Sequence, residues 1–265
     1  MKDVLVTGAY GGMGSAAVEA LRQQGYRVFA LDRICKSETA NEKVIPVEAD
    51  ITDEASLLKA LATVRAYTDS LASILHFAGI YLLDSLGEIQ DDSFCRIFDI
   101  NVRGAYLVNK TFLPLLHKGS RILITTSELA PLDPLPFTGL YAVTKGALDK
   151  YAYSLRMELQ FLGISVSVLR AGATGTQMLG VSTDALDRFC ENTVLYRCNA
   201  DRFKAIVNGV EARCIPPEKV AAKAVRILNK RNPSFAYSIN RNPLLLLLNA
   251  LPKCLQLWAI RLVLK

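Results

Sequence analysis

Between an apolar run, Asp3-Val4-Leu5-Val6-Thr7, and a helical pattern opening at Ser15 lies Thr7-Gly8-Ala9-Tyr10-Gly11-Gly12-Met13-Gly14. A glycine-rich turn joining a buried strand to a helix constrains this chain more than any other feature of it, because the turn is meaningful only inside a βαβ unit. Gly8 permits the tight turn, Gly12 lets the backbone come close to a ligand, and Gly14 lets the helix pack against the strand. The N–H groups around Met13 at the helix start then face outward, where the helix dipole favours a pyrophosphate.

The rest of the first two-thirds alternates strand and helix signals. Ala16, Val18, Ala20 and Leu21 recur at helical spacing up to Gln24, and Gly25 follows as a C-terminal cap. Strands are predicted at Arg27–Asp32, Lys43–Val47, Ser73–Phe77, Arg121–Thr126 and Ile164–Leu169. Helices are predicted from the Thr52-Asp53 cap through Leu61, from about Asp92 to Leu116, and from Tyr141 to Leu162. Right-handed crossovers turn such an alternation into a doubly wound parallel sheet between two helix layers, an α/β three-layer sandwich. No composition break marks a second domain, so one domain over 1–265 is expected.

Composition narrows the class. Hydrophobic residues are 51% and charged residues 21%, which places the chain among globular proteins. The net charge of +6 is dispersed along the chain, so nucleic-acid binding is not expected. Six cysteines and two histidines, His76 and His117, lack metal-ligand spacing; no metal site is expected, and free thiols fit a reducing compartment. Met1-Lys2-Asp3 enters an apolar strand at once, so no signal peptide and a cytoplasmic location are expected.

Asp32 ends the second strand, where a carboxylate can accept hydrogen bonds from ribose hydroxyls and repel a 2′-phosphate. That favours NAD over NADP, although the neighbouring Arg33 could pair with such a phosphate. Tyr141-Ala142-Val143-Thr144-Lys145 sets a phenol and an ammonium one helical turn apart. A phenol with a pKa of about 10 is a poor base near neutrality, and a nearby ammonium, reinforced by the positive nicotinamide of an oxidised cofactor, should lower it. Tyr141 could then exchange a proton with an alcohol as hydride leaves or reaches its carbon. Ser127 follows the fifth strand, where its hydroxyl could reach a substrate oxygen. Asn101 sits in an apolar helical stretch, where its amide can bend the helix or hold a water.

Together, Thr-Gly-x-x-x-Gly-x-Gly, Asn101, Ser127 and Tyr-x-x-x-Lys resemble the short-chain dehydrogenase/reductase family, from Val4 to about Thr176. The resemblance implies a Rossmann fold and an NAD(H)-dependent interconversion of alcohol and carbonyl. It implies Tyr141 as acid/base, Ser127 as the substrate-orienting hydroxyl, Lys145 on the nicotinamide ribose, and Asn101 holding a water in a relay through Lys145. It also implies cofactor contacts from Asp50, Ile51, Ala78 and Gly79, and from Thr174 and Thr176 in the loop after the sixth strand. Homodimers or homotetramers are implied as well. Three departures stand out. His76-Phe77-Ala78-Gly79 replaces an asparagine-led segment, Ala171 replaces proline, and the Ser127–Tyr141 interval is about one residue long.

The region 177–216 shows little regular pattern but carries Met178, Leu179, Leu186, Phe189, Leu195, Tyr196 and Phe203. By the resemblance it is a substrate lid, and its apolar content favours a lipophilic substrate of hydroxysteroid, retinoid or fatty-alcohol type. The tail 243–265 reads as two short helices broken at Pro252, too interrupted to span a membrane. Its pattern suits a helix lying in a membrane interface, a subunit interface, or a lid over an apolar pocket. A dinucleotide-binding regulator without turnover is the alternative function, and the four intact groups argue against it.

Overall fold

Short apolar runs become interior strands of a parallel sheet because the crossover helices cover both of its faces. In the computed structural model, β1 (Asp3–Thr7) is buried throughout and lies between β2 (Arg27–Asp32) and β4 (Leu71–His76). With β3 (Val44–Glu48), β5 (Leu116–Ser127), β6 (Ser165–Ala171) and β7 (Ala236–Ile239) they form one parallel seven-stranded sheet, ordered β3-β2-β1-β4-β5-β6-β7. The structure describes residues 1–35, 42–211 and 213–265, and only the backbone of 177–184, 210 and 211.

Alternate residues of each strand feed opposite cores. Val4 and Val6 meet Ala17 and Leu21 of α1 (Gly12–Gln23) and Val220 and Ala224 of a later helix, α8 (Pro217–Leu228). Leu5 meets Leu57 and Val64 of α2 (Glu54–Arg65) and Val108 and Phe112 of α4 (Gly104–Phe112). Further along that face, Leu148 and Ala152 of α5 (Gly139–Leu159) pack on Ile122 and Val166. The result is the three-layer, doubly wound α/β fold that the alternation requires, in a single domain.

Several boundaries differ from expectation. The helix expected from Asp92 to Leu116 is α3 (Asp91–Phe98), a π-helical turn at Asp99–Arg103, then α4 and a short 3-10 turn at Leu113–Leu115. The π turn falls on Asn101, whose amide bonds outside the helix. β5 begins at Leu116, earlier than its apolar centre indicates, because Leu116 already pairs with Leu71 of β4, ahead of a register shift over the polar residues that follow. The patternless stretch is in fact helical, forming α6 (Gln177–Asn192) and α7 (Arg197–Glu211). Met178 and Leu179 fall outside the described side chains. The tail forms α9 (Pro243–Ala250) and α10 (Lys253–Leu264), two short helices as expected. Among the described residues, no helix is long and apolar enough to cross a membrane.

Candidate active site

Where the strand order reverses between β1 and β4, the crossover helices diverge and leave a crevice at the carboxyl ends of the strands. That crevice is a cleft of about 860 Å³. Gly8, Gly12, Met13 and Gly14 form one wall, Asp32, Arg33, Asp50 and Ile51 a second, and Ala78, Gly79 and Tyr81 a third, with Thr176 at the rim. The glycines are required by close approach. Gly8 has φ +66° and lies against the backbone of Ala78, and any side chain on Gly14 would collide with the Gly8 carbonyl oxygen. At Gly12 a Cβ would come within 2.5 Å of the Thr176 methyl, so the loop after β6 closes directly over the turn. A cradle emptied of side chains at a helix N-terminus, with a carboxylate at its far end, fits a dinucleotide.

Asp32 is oriented by two backbone donors. Tyr10 N–H donates to Oδ2 at 2.9 Å, and Arg33 N–H to Oδ1 at 2.8 Å. Asp50 accepts from the N–H and the hydroxyl of Thr52, which hold its carboxyl below the usual range. Ile51 reaches the cleft because Gly104 leaves room, since a Cβ there would lie 2.7 Å from Ile51 Cδ1. Thr174 is buried and donates to the Gly172 carbonyl, whereas Thr176 faces the cleft.

The cleft's third wall is also the boundary of a polar cluster. A Cβ on Gly79 would lie 3.1 Å from Asn101 Oδ1 and 3.3 Å from Lys145 Nζ, so both groups stand immediately behind that residue. Tyr141 and Lys145 lie one turn apart on α5, with Lys145 Nζ 5.7 Å from the Tyr141 ring centre. Lys145 is buried, aims at the Thr125 carbonyl at 3.4 Å, and is pushed down to about 8 by burial. Ser127, the last residue of β5, accepts from Leu129 N–H and stands beside the Tyr141 hydroxyl, where it lowers the pKa of the phenol. The longer Ser127–Tyr141 interval therefore still brings the two hydroxyls together.

Burial opposes the lowering expected at Tyr141. Tyr141 is pushed up to about 12, because burial outweighs the effect of Ser127. Lys145 is itself desolvated and turned toward Thr125, which blunts its effect on the phenol. In this state Tyr141 is a protonated phenol, suited to donating its proton.

A model of the short chain dehydrogenase family matches residues 2–187. The chain belongs to the short-chain dehydrogenase family. Estradiol 17-beta-dehydrogenase 2 of Mus musculus is 31% identical to the dehydrogenase over 258 residues, 89% of this chain and 67% of that protein. Versicolorin reductase stcU of Emericella nidulans is 30% identical over 195 residues, 69% of this chain and 73% of that one. In fold, the dehydrogenase resembles a 3-ketoacyl-(acyl-carrier-protein) reductase from Brucella melitensis complexed with NADH (TM-score 0.73, 21% identity, 90% of this chain and 96% of that one). It also resembles a short-chain dehydrogenase from Streptomyces avermitilis (TM-score 0.76, 19% identity, 98% and 93%). The dehydrogenase is thus an NAD(P)-binding oxidoreductase.

Sequence reasoning missed several residues around the site. Tyr81 packs its ring on Tyr141 at 4.8 Å between centres. Phe137, at φ +62°, turns the chain into α5 through a three-residue γ-turn closed by Thr138 N–H and the Pro136 carbonyl. Its ring meets Phe189, Tyr196 and Phe203 at 4.6, 5.0 and 5.0 Å. Glu88 accepts from Thr193 Oγ1 and from the Val194 and Leu195 N–H groups, fastening the α6–α7 corner. Glu128 is buried, its carboxyl raised by burial, and it accepts from Asn242 N–H at the start of the tail. None of these carries a motif; only the partners of Phe137, namely Phe189, Tyr196 and Phe203, had a signal, as large groups in a region without visible period.

Proposed function

We propose that the dehydrogenase interconverts a hydroxyl and a carbonyl on a bulky lipophilic substrate, of steroid, retinoid or fatty-alcohol type, with NAD(H) as its preferred cofactor. The observation that carries this reading is Tyr141 one helical turn from Lys145, with the ammonium 5.7 Å from its ring centre, beside Ser127 at the end of β5 and packed against Tyr81. Bound in the glycine cradle, a nicotinamide dinucleotide would supply or accept the hydride.

The other roles fall to the chain's own groups. Tyr141 transfers the proton at the substrate oxygen, and Ser127 holds that oxygen by a hydrogen bond that strengthens as charge moves onto it. Lys145 binds the nicotinamide ribose and, with Asn101 across Gly79, begins the path by which Tyr141 exchanges its proton. Asp32 reads the ribose hydroxyls, with Asp50, Ile51 and Arg33 around the adenosine half and Ala78, Gly79, Thr174 and Thr176 toward the nicotinamide half.

The substrate reading rests on the apolar wall. Leu83, Phe137, Leu186, Phe189 and Phe203 form a buried cluster, with Tyr196 and Tyr81, whose ring packs on Tyr141, at its edge. The region 177–216 is the lid that carries much of it. The mouse relative is by name an estradiol dehydrogenase, which favours a steroid-type alcohol within this class. Val143, Tyr153 and Met157 are exposed along one face of α5, a surface suited to pairing two copies in a homodimer.

The test is NADH formation from NAD with pooled steroid, retinoid and fatty alcohols, using wild type and Tyr141→Phe in parallel. Turnover in wild type and its loss in the variant are expected. Turnover that survives the substitution would remove Tyr141 from its role.

A further inference from the structure

The tail has a secured side and an outward side. On the inward edge of α10, Gln256 is buried and donates to Asp133, to the Asn249 carbonyl and to the Leu251 carbonyl. Lys253 pairs with Asp133, and Asn249 accepts from Asp133 N–H at 2.8 Å. At the far end, Asn199 of α7 donates to the Leu264 carbonyl, and Leu264 packs on the aromatic cluster. α10 is therefore docked, and its remaining exposed surface is a deliberate outer face.

That outer face is apolar and basic. Leu255, Trp258 and Leu262, at spacings of three and four, share one side of the helix and are 47%, 63% and 61% exposed. Arg261 and Lys265 flank them on the same side. On α9, Leu244 and Leu247 are also exposed. From 240 to 265 the sequence contains no Asp or Glu, but four basic residues, Arg241, Lys253, Arg261 and Lys265, of which Lys253 is neutralised by Asp133.

We propose that α9 and α10 form a docking surface for an anionic lipid bilayer, lying in its interface with Trp258 at the centre. A bare apolar face would serve a second copy of the chain equally well. The absence of acidic residues decides for lipid: two copies meeting here would oppose like charges, whereas an anionic surface complements them. The clasps through Asp133 and Asn199 then hold the loop after Ser127 and the α6–α7 region at the membrane surface.

Trp258 is the chain's single tryptophan, so its emission reports this face directly. The full chain is titrated with phosphatidylcholine vesicles with and without phosphatidylserine, following Trp258 emission, acrylamide quenching and co-sedimentation. A blue shift, protection from quencher and sedimentation with the serine-containing vesicles are expected, weakening as salt is raised. Arg261→Gln with Lys265→Gln should reduce partition roughly thirtyfold. Leu255→Ser with Leu262→Ser should also reduce it, with thermal unfolding unchanged because both positions are exposed. Three results would overturn the proposal: no shift and no sedimentation; equal, salt-insensitive binding to neutral vesicles; or a blue shift without vesicles that grows with protein concentration. The last would assign the face to a second copy. No turnover is needed, so the outcome is independent of the substrate reading.

Discussion

Asn101 holds both polar groups of the Ile80 backbone: its Oδ1 accepts from Ile80 N–H at 2.8 Å, and its Nδ2 donates to Ile80 O at 2.9 Å. The same Nδ2 lies 3.2 Å from Thr144 Oγ1 on α5, so one amide joins the π turn, the loop after β4 and the helix bearing Tyr141. The π turn is what lets the side chain point there, by adding a residue to the helix at that place.

Asn101→Ala removes the partners of two backbone groups and should cost about 2 kcal/mol or more in stability. It should also weaken dinucleotide binding, because Gly79 and Ile80 form a wall of the cleft. Urea unfolding and a cofactor titration check this. Unchanged stability would show that the clamp carries no energy.

Asp32→Ala should narrow the preference for NAD over NADP by about tenfold, the loss of a charge-assisted hydrogen bond together with its repulsion of a 2′-phosphate. The ratio of the two dissociation constants is the measurement. An unchanged ratio would mean that Asp32 only orients Tyr10 and Arg33.

His76 gives the protein an acid weakness. The ring is buried against Asn109 Oδ1 at 2.9 Å, and Asn109 in turn donates to the Tyr151 hydroxyl. Burial pushes His76 down from 6.5 to about 4. The unfolded chain therefore binds the proton near pH 6.5 while the folded chain resists until about 4. The stability is fully present above 6.5 and falls as pH drops through that window, by about 2 kcal/mol at pH 5. His76→Asn should flatten this part of the profile, measured as urea stability at pH 7 and pH 5. A profile identical to wild type would assign the acid sensitivity elsewhere.

Phe137 combines a strained backbone with a well-packed ring. Phe137→Ala loses the ring and keeps the strain, at a cost of about 3–5 kcal/mol. Phe137→Gly loses the ring and relieves the strain, so it should be more stable than the alanine variant by about 1 kcal/mol. The reverse order in thermal unfolding would show that the γ-turn stores no strain.

By itself the sequence determined the parallel sheet through β6, the glycine cradle and the identity of the groups on α5. These are local: period, turn chemistry and a four-residue spacing are written along the chain, and the crossover rule converts them into layers. β7, α6 and α7 were not legible, because their residues are half polar and become apolar faces only against partners distant in the chain. The site divided the same way. Tyr141, Lys145, Ser127 and Asn101 could be named from the sequence, but that Asn101 binds Ile80, that Tyr81 packs on Tyr141, and that Phe137 gathers Phe189, Tyr196 and Phe203 depend on loops meeting across the sheet. Only the tertiary structure decided the electrostatics. Charge spacing with an oxidised nicotinamide predicts a lowered Tyr141, and burial, a property of the whole packed site, pushes the other way.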